Sequence, residues 1–199
     1  MTILSLNVTK TKELIVDFRK KETNYEPVTI KGSQVEIVQS YDYLGTTISE
    51  DLTWSANIRR LVKKAWQRIY HLRKLRELNV SRKIKTLFYS SVIESVLTFG
   101  VSVWGGNITE DDKTQLERVI KCAQRIIGAP LGSVADTYET KARKLSHRIM
   151  ADRQHPLNGC FALLPSRKRL RQIPLNTERM RRSLVPQAIS LFNNNKVLK

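Results

Sequence analysis

The chain has 199 residues and a mass of 23.0 kDa, with 41% hydrophobic and 27% charged residues. That is a globular composition, with room for one domain or one and a half small ones. No run of eighteen apolar residues occurs, which argues against a membrane partner, while thirty-five Lys and Arg against eighteen Asp and Glu leave a formal charge of +17.

The charge is uneven. Residues 1–56 hold six basic and eight acidic side chains, and residues 57–100 hold eleven and two. Residues 101–150 hold eight and six, and residues 151–199 hold ten and two. A solvated helix face and a loose basic tail would be the plain explanation. Clustering into two blocks fits a polyanionic partner better, because Lys and Arg on one face neutralise phosphates and release counterions. Nucleic acid, either duplex or RNA–DNA hybrid, is the expected partner.

The first fifty residues read as strands. Thr11 to Phe18 turns apolar in its second half, and Val28-Thr29-Ile30 and Val35-Glu36-Ile37-Val38 flank a hairpin turn at Lys31-Gly32-Ser33. Tyr41 to Ile48 supplies a further strand segment, and a sheet this small has little to pack on by itself.

From Thr53 the period becomes helical. Ile58, Leu61, Val62, Ala65, Ile69, Leu72 and Leu75 form an apolar stripe, with Trp66 beside it and Thr53 or Ser55 as the cap. Arg59, Arg60, Lys63, Lys64 and Arg68 occupy the remaining arc. A second helix is expected from Ser81, with Ile84, Leu87, Phe88, Ser91 and Val92 buried. Thr109-Glu110-Asp111-Asp112 reads as a capped acidic first turn of a third, which carries Leu116 to Ile127 and stops at Gly128. A less apolar helix follows over roughly 136–153. Past Pro156, three further prolines, the run Arg167-Lys168-Arg169-Leu170-Arg171 and Asn193-Asn194-Asn195 suggest a weakly folded basic extension.

Chemistry is sparse. Neither GxxxxGK[ST] nor GxGxxG occurs, and His71, His147 and His155 are scattered. Cys122 and Cys160 are too few for a disulfide framework or a four-thiolate zinc site, and read as reduced thiols of an intracellular protein, compatible with the nucleus. Asp111-Asp112 reads as helix capping and not as a metal dyad. No catalytic residues, no metal and no cofactor are expected. The chain alone is expected not to be an enzyme.

Leu6-Asn7-Val8-Thr9-Lys10-Thr11-Lys12-Glu13-Leu14, then Tyr43-Leu44-Gly45, then a basic helix after Leu52-Thr53-Trp54, resembles the downstream end of a non-LTR (LINE-type) retrotransposon reverse transcriptase. The resemblance covers roughly residues 5–128. It implies the end of the palm with a primer-grip hairpin, then a thumb that holds the template–primer duplex. Lys10 and Lys12 would then lie near nucleotide phosphates, Tyr43, Leu44 and Gly45 under the primer terminus, and Arg59, Arg60, Lys63, Lys64 and Arg68 along the duplex backbone. That family's aspartate pair is missing, so the resemblance implies a non-catalytic remnant, with the rest of a palm as a further partner. Lys-Thr-Lys-Glu-Leu-Ile-Val-Asp-Phe-Arg at 10–19, followed by the segment ending in Tyr43-Leu44-Gly45, also resembles the N-terminal module classified with AlkB-type repair proteins. That resemblance implies a nucleic-acid repair or methyltransferase module, with 2-oxoglutarate oxygenase or methyltransferase activity by family label only; an oxygenase of that kind uses HxD and a distant His on iron, and none of the three histidines here starts HxD.

The expectation is therefore an α+β chain. Residues 1–52 form a small antiparallel β platform, residues 53–128 a basic helical bundle, and residues 129–199 an irregular, partly helical basic tail.

Overall fold

The computed structural model describes residues 6–19 and 23–194, and the chain divides into two compact units, Met1–Asn57 and Ile58–Lys199. The fold is α+β, as the residue patterns indicate.

The first unit is built from short ribbons. Asn7 caps a single 3-10 turn at Val8–Lys10, its side chain accepting from the Thr9 N–H. β1 (Lys12–Glu13) is followed by β2 (Thr29–Ile30), β3 (Ser33–Gln34) and β4 (Glu36–Ile37), then by β5 (Ser40–Tyr43) and β6 (Thr46–Ser49). β2 and β3 pair antiparallel across Lys31–Gly32, and β5 and β6 pair antiparallel across Leu44–Gly45. In both loops the two central residues have positive φ (51° and 80°, then 46° and 86°), the signature of the type I′ turn that matches strand twist. β1 and β4, by contrast, pair in parallel, Lys12 opposite Glu36 and Glu13 opposite Ile37. Among the described apolar side chains of this unit only Val35 is buried.

The second unit is helical. α1 (Ser55–Glu77) spans the division, its first turn lying in the first unit. Just ahead of that helix the Thr53 hydroxyl donates to Asp51 at 3.0 Å. Ile58, Leu61, Ala65, Ile69 and Leu72 of α1 are buried, with Val62 and Leu75 half-buried, so the expected stripe is its core face.

α2 (Arg82–Phe88), capped by Ser81, runs into a π-helical turn at Tyr89–Glu94 and then α3 (Ser95–Leu97). Here the expected stripe is corrected. Ile84, Leu87 and Ser91 are exposed, whereas Tyr89, Ile93 and Leu97 are buried. A π turn holds an extra residue, which rotates the buried face by about 100° relative to a regular helix. Burial, then the charges of Glu94 and Glu117, push the Tyr89 phenol above its ordinary range.

After α4 (Val101–Trp104), α5 (Glu110–Ile127) opens with the reciprocal Thr109–Asp112 capping box and buries Leu116, Val119, Ile120, Ala123, Ile126 and Ile127. It ends where Gly128 takes φ 74°, a left-handed cap that a side chain would strain. α6 (Val134–Ala151) starts with a second capping box, Ser133 and Asp136.

The segment past Pro156 is more ordered than its composition suggests. A 3-10 turn (Asn158–Phe161), α7 (Glu178–Arg181) and α8 (Leu184–Asn194) follow. Phe161, Leu170, Ala188, Ile189 and Phe192 join Ile149 of α6 in one buried cluster. Asn193 clamps the backbone of Leu170 from both sides, accepting from its N–H at 2.9 Å and donating to its carbonyl at 3.0 Å. Pro186 does not interrupt α8 because it sits in the first turn, where an N–H has no helical partner.

Candidate nucleic-acid interface

The candidate residues lie in both units. In the first, Lys10 is exposed at the end of its 3-10 turn. Lys12 is not a free cation: its ammonium is salt-bridged to Glu36 on the neighbouring strand. Tyr43, Leu44 and Gly45 form the exposed tip of the β5–β6 hairpin, with Leu44 78% exposed at positive φ. They are therefore not part of a core.

α1 is the strongest cationic element. Its sequence carries eight Lys or Arg and one acid, Glu77. The opposite face is sealed in the interior, so the cations share the remaining arc. Arg59, Lys63 and Lys64 are exposed and form no salt bridge with any described residue. Arg73 and Lys74 extend the row, Lys74 lying 2.8 Å from the Glu77 carboxylate.

Arg60 and Arg68 differ. Both are half-buried, and the Arg68 guanidinium donates to the Val92 carbonyl within the π turn. A π turn displaces carbonyls from their usual partners, and a long cationic donor on the adjacent helix answers one of them. Arg68 thus serves the packing of α1 against that segment, and Arg73 reaches α5, 3.8 Å from the Cys122 sulfur.

Two features of the interface were not singled out as site residues from sequence. Trp66, read as adjacent to the apolar stripe, and Tyr70 both stand on the exposed arc. Helical spacing alone could have found them, since on a helical wheel position 70 falls between Arg59 and Lys63 and position 66 between Arg73 and Arg59. The run Arg167-Lys168-Arg169-Leu170-Arg171 is also not a loose tail: buried Leu170 anchors it while its four cations are exposed.

The pattern suits phosphates. Among the described residues no group of three or more His, Cys, Asp or Glu side chains could hold a metal ion. Among them, too, no helix is long and apolar enough to cross a membrane.

Residues 54–95, covering α1, α2 and the π turn, are similar to the family described as "Alkylated DNA repair protein alkB homolog 8, N-terminal". The match supports the AlkB-type resemblance, although it falls downstream of the residues 10–45 that carry that resemblance in the sequence. Nothing in it carries the reverse-transcriptase resemblance. No curated protein and no solved structure matches the chain.

Proposed function

We propose that the chain is a non-catalytic nucleic-acid-binding module that grips phosphates with the outer arc of α1. One observation carries this reading: Arg59, Lys63 and Lys64 project from a helix whose other face is filled with core side chains, and no described acid neutralises them. Concentrating like charges on one arc costs repulsion, which a polyanion relieves. The matched family's description names DNA repair, and the match spans this same arc. That favours a module of the AlkB-associated kind over a reverse-transcriptase remnant, and the binding proposal does not depend on the latter.

Oxygenase chemistry of the AlkB type would require iron on two histidines and an acid. The described residues do not offer that donor set, so they do not fit such a centre.

Fluorescence anisotropy with a labelled oligonucleotide tests the proposal. The full chain is expected to bind, and K63E/K64E is expected to bind at least tenfold more weakly with an unchanged circular dichroism spectrum. Equal affinity of the two proteins would place the binding surface elsewhere.

The first unit favours a second, additional role. Its apolar side chains Phe18, Leu44 and Tyr43 are exposed. A protein partner that covers this unit would explain them, and concentration-dependent light scattering of the isolated chain is the check.

A further inference from the structure

The outer arc of α1 carries more than charge. Trp66 is 39% and Tyr70 56% exposed, on a helix whose core face is already occupied. Trp104 shows the contrast: it is fully buried and its indole N–H donates to the Phe99 carbonyl at 2.8 Å. Positions 66 and 70 lie on one face, their backbone positions about 6 Å apart along the axis. Cations flank them. Lys63 precedes Trp66 by three residues, Arg73 follows Tyr70 by three, and Lys74 Nζ lies 5.7 Å from the Tyr70 ring centroid. Rings interleaved with cations at helical spacing offer π faces and positive charge to the same ligand.

We infer that this strip is a stacking platform for an unpaired nucleic-acid strand, Trp66 and Tyr70 each taking a base face while Lys63, and Arg73 on leaving its contact with the Cys122 sulfur, hold the flanking phosphates. The inference rests on the nucleic-acid reading above and narrows it to single strands. In a duplex the faces of each base are covered by its neighbours, so rings on a helix surface have nothing to stack on. Cations serve both forms, but aromatic rings serve only the unpaired one. Every base has a π face, so binding of this kind tolerates any sequence. Charge fixes the class of ligand: with Glu77 as the one acid on α1, and that acid paired to Lys74, a polyanion fits this arc better than an apolar peptide.

The test compares oligothymidylate with a hairpin duplex of equal length, both fluorescein-labelled, at one salt concentration and with the full chain. W66A and Y70A are each expected to weaken oligothymidylate binding by roughly fivefold to a hundredfold, with duplex affinity changed less than twofold. W66F, which keeps a ring, is expected to stay within a few-fold of the parent. Should W66A lose its fold, Y70A and W66F carry the same discrimination. Equal losses on both oligonucleotides, or no loss on either, overturn the stacking inference and leave the phosphate-binding proposal standing. Failure of the unaltered chain to bind either oligonucleotide overturns both.

Discussion

Phe192→Ala tests whether the C-terminal segment belongs to the fold. Phe192 is 1% exposed and packs with Ile149, Phe161, Leu170 and Ile189 between α6 and α8. The His147 ring meets it edge-on at 4.9 Å, and the Arg143 guanidinium lies 5.8 Å from its ring centroid while donating to the Leu191 carbonyl at 3.1 Å. Removing a buried Phe costs about 3–5 kcal/mol, the forfeited transfer energy plus the cavity left behind. Set against a typical stability of about 5–15 kcal/mol, that is a large fraction. In a unit of this size it lowers the melting temperature by about 10 °C. Thermal and urea denaturation of the full chain measure the global effect. Trypsin measures the local alternative, in which α8 undocks and cleavage at Arg179, Arg181 and Arg182 accelerates. A variant with the parent's melting temperature and an unchanged tryptic pattern would refute the packing of α8 on α6.

Three further outcomes are expected. Leu44→Asn should stabilise the first unit by about 1 kcal/mol, because a bulky side chain at φ 46° in a two-residue loop is strained and Asn tolerates that conformation; a loss in urea midpoint would contradict this. Thr109→Ala should cost about 1 kcal/mol by removing the hydroxyl that accepts from the Asp112 N–H and donates to its carboxylate, and an unshifted midpoint would refute it. Stability should also fall with acid through Asp136. Its carboxyl, held below the ordinary range by the Ser133 hydroxyl and then the Ser133 N–H, is stabilising above the unfolded value near pH 3.9 and loses that contribution as pH drops toward its lower folded value. Ser133→Ala should shrink the difference between urea midpoints at pH 7 and pH 3, and an undiminished difference would contradict that assignment.

Local signals were readable where local physics decides the structure. The α1 stripe, the α5 capping box with its Gly128 stop, and the turn at Lys31–Gly32 follow from spacing and backbone preference, whereas Tyr41 to Ile48, which reads as one strand segment, is a hairpin that turns at Leu44–Gly45. Features set by distant partners were not. After α2 the buried positions fall in and beyond a π turn, at Tyr89, Ile93 and Leu97, and that turn accepts a hydrogen bond at Val92 from Arg68, 24 residues away in sequence. The parallel pairing of β1 with β4, which takes Lys12 to Glu36, depends likewise on a long connection. Pro186 reads as a breaker in isolation but is harmless in the first turn of a helix that α6 holds in place. In the candidate interface the charge of Arg59, Lys63 and Lys64 was legible, because an exposed arc is what remains once the apolar stripe is assigned. The half-burial of Arg60 and Arg68 was not: Arg68 stands at the margin of that arc, and Arg60, which helical spacing puts inside it, is half-buried by neighbours that spacing does not show.

The salt dependence of binding tests the central claim most directly. Removing one phosphate-neutralising cation reduces the slope of log K against log salt by about 0.7 for a single strand and about 0.9 for a duplex. Replacing Arg59, Lys63 and Lys64 together by Ala is therefore expected to flatten the slope for oligothymidylate by about 2 between 50 and 200 mM salt. A slope equal to that of the parent chain would mean that these three cations do not touch the nucleic acid, and the proposed interface would be wrong.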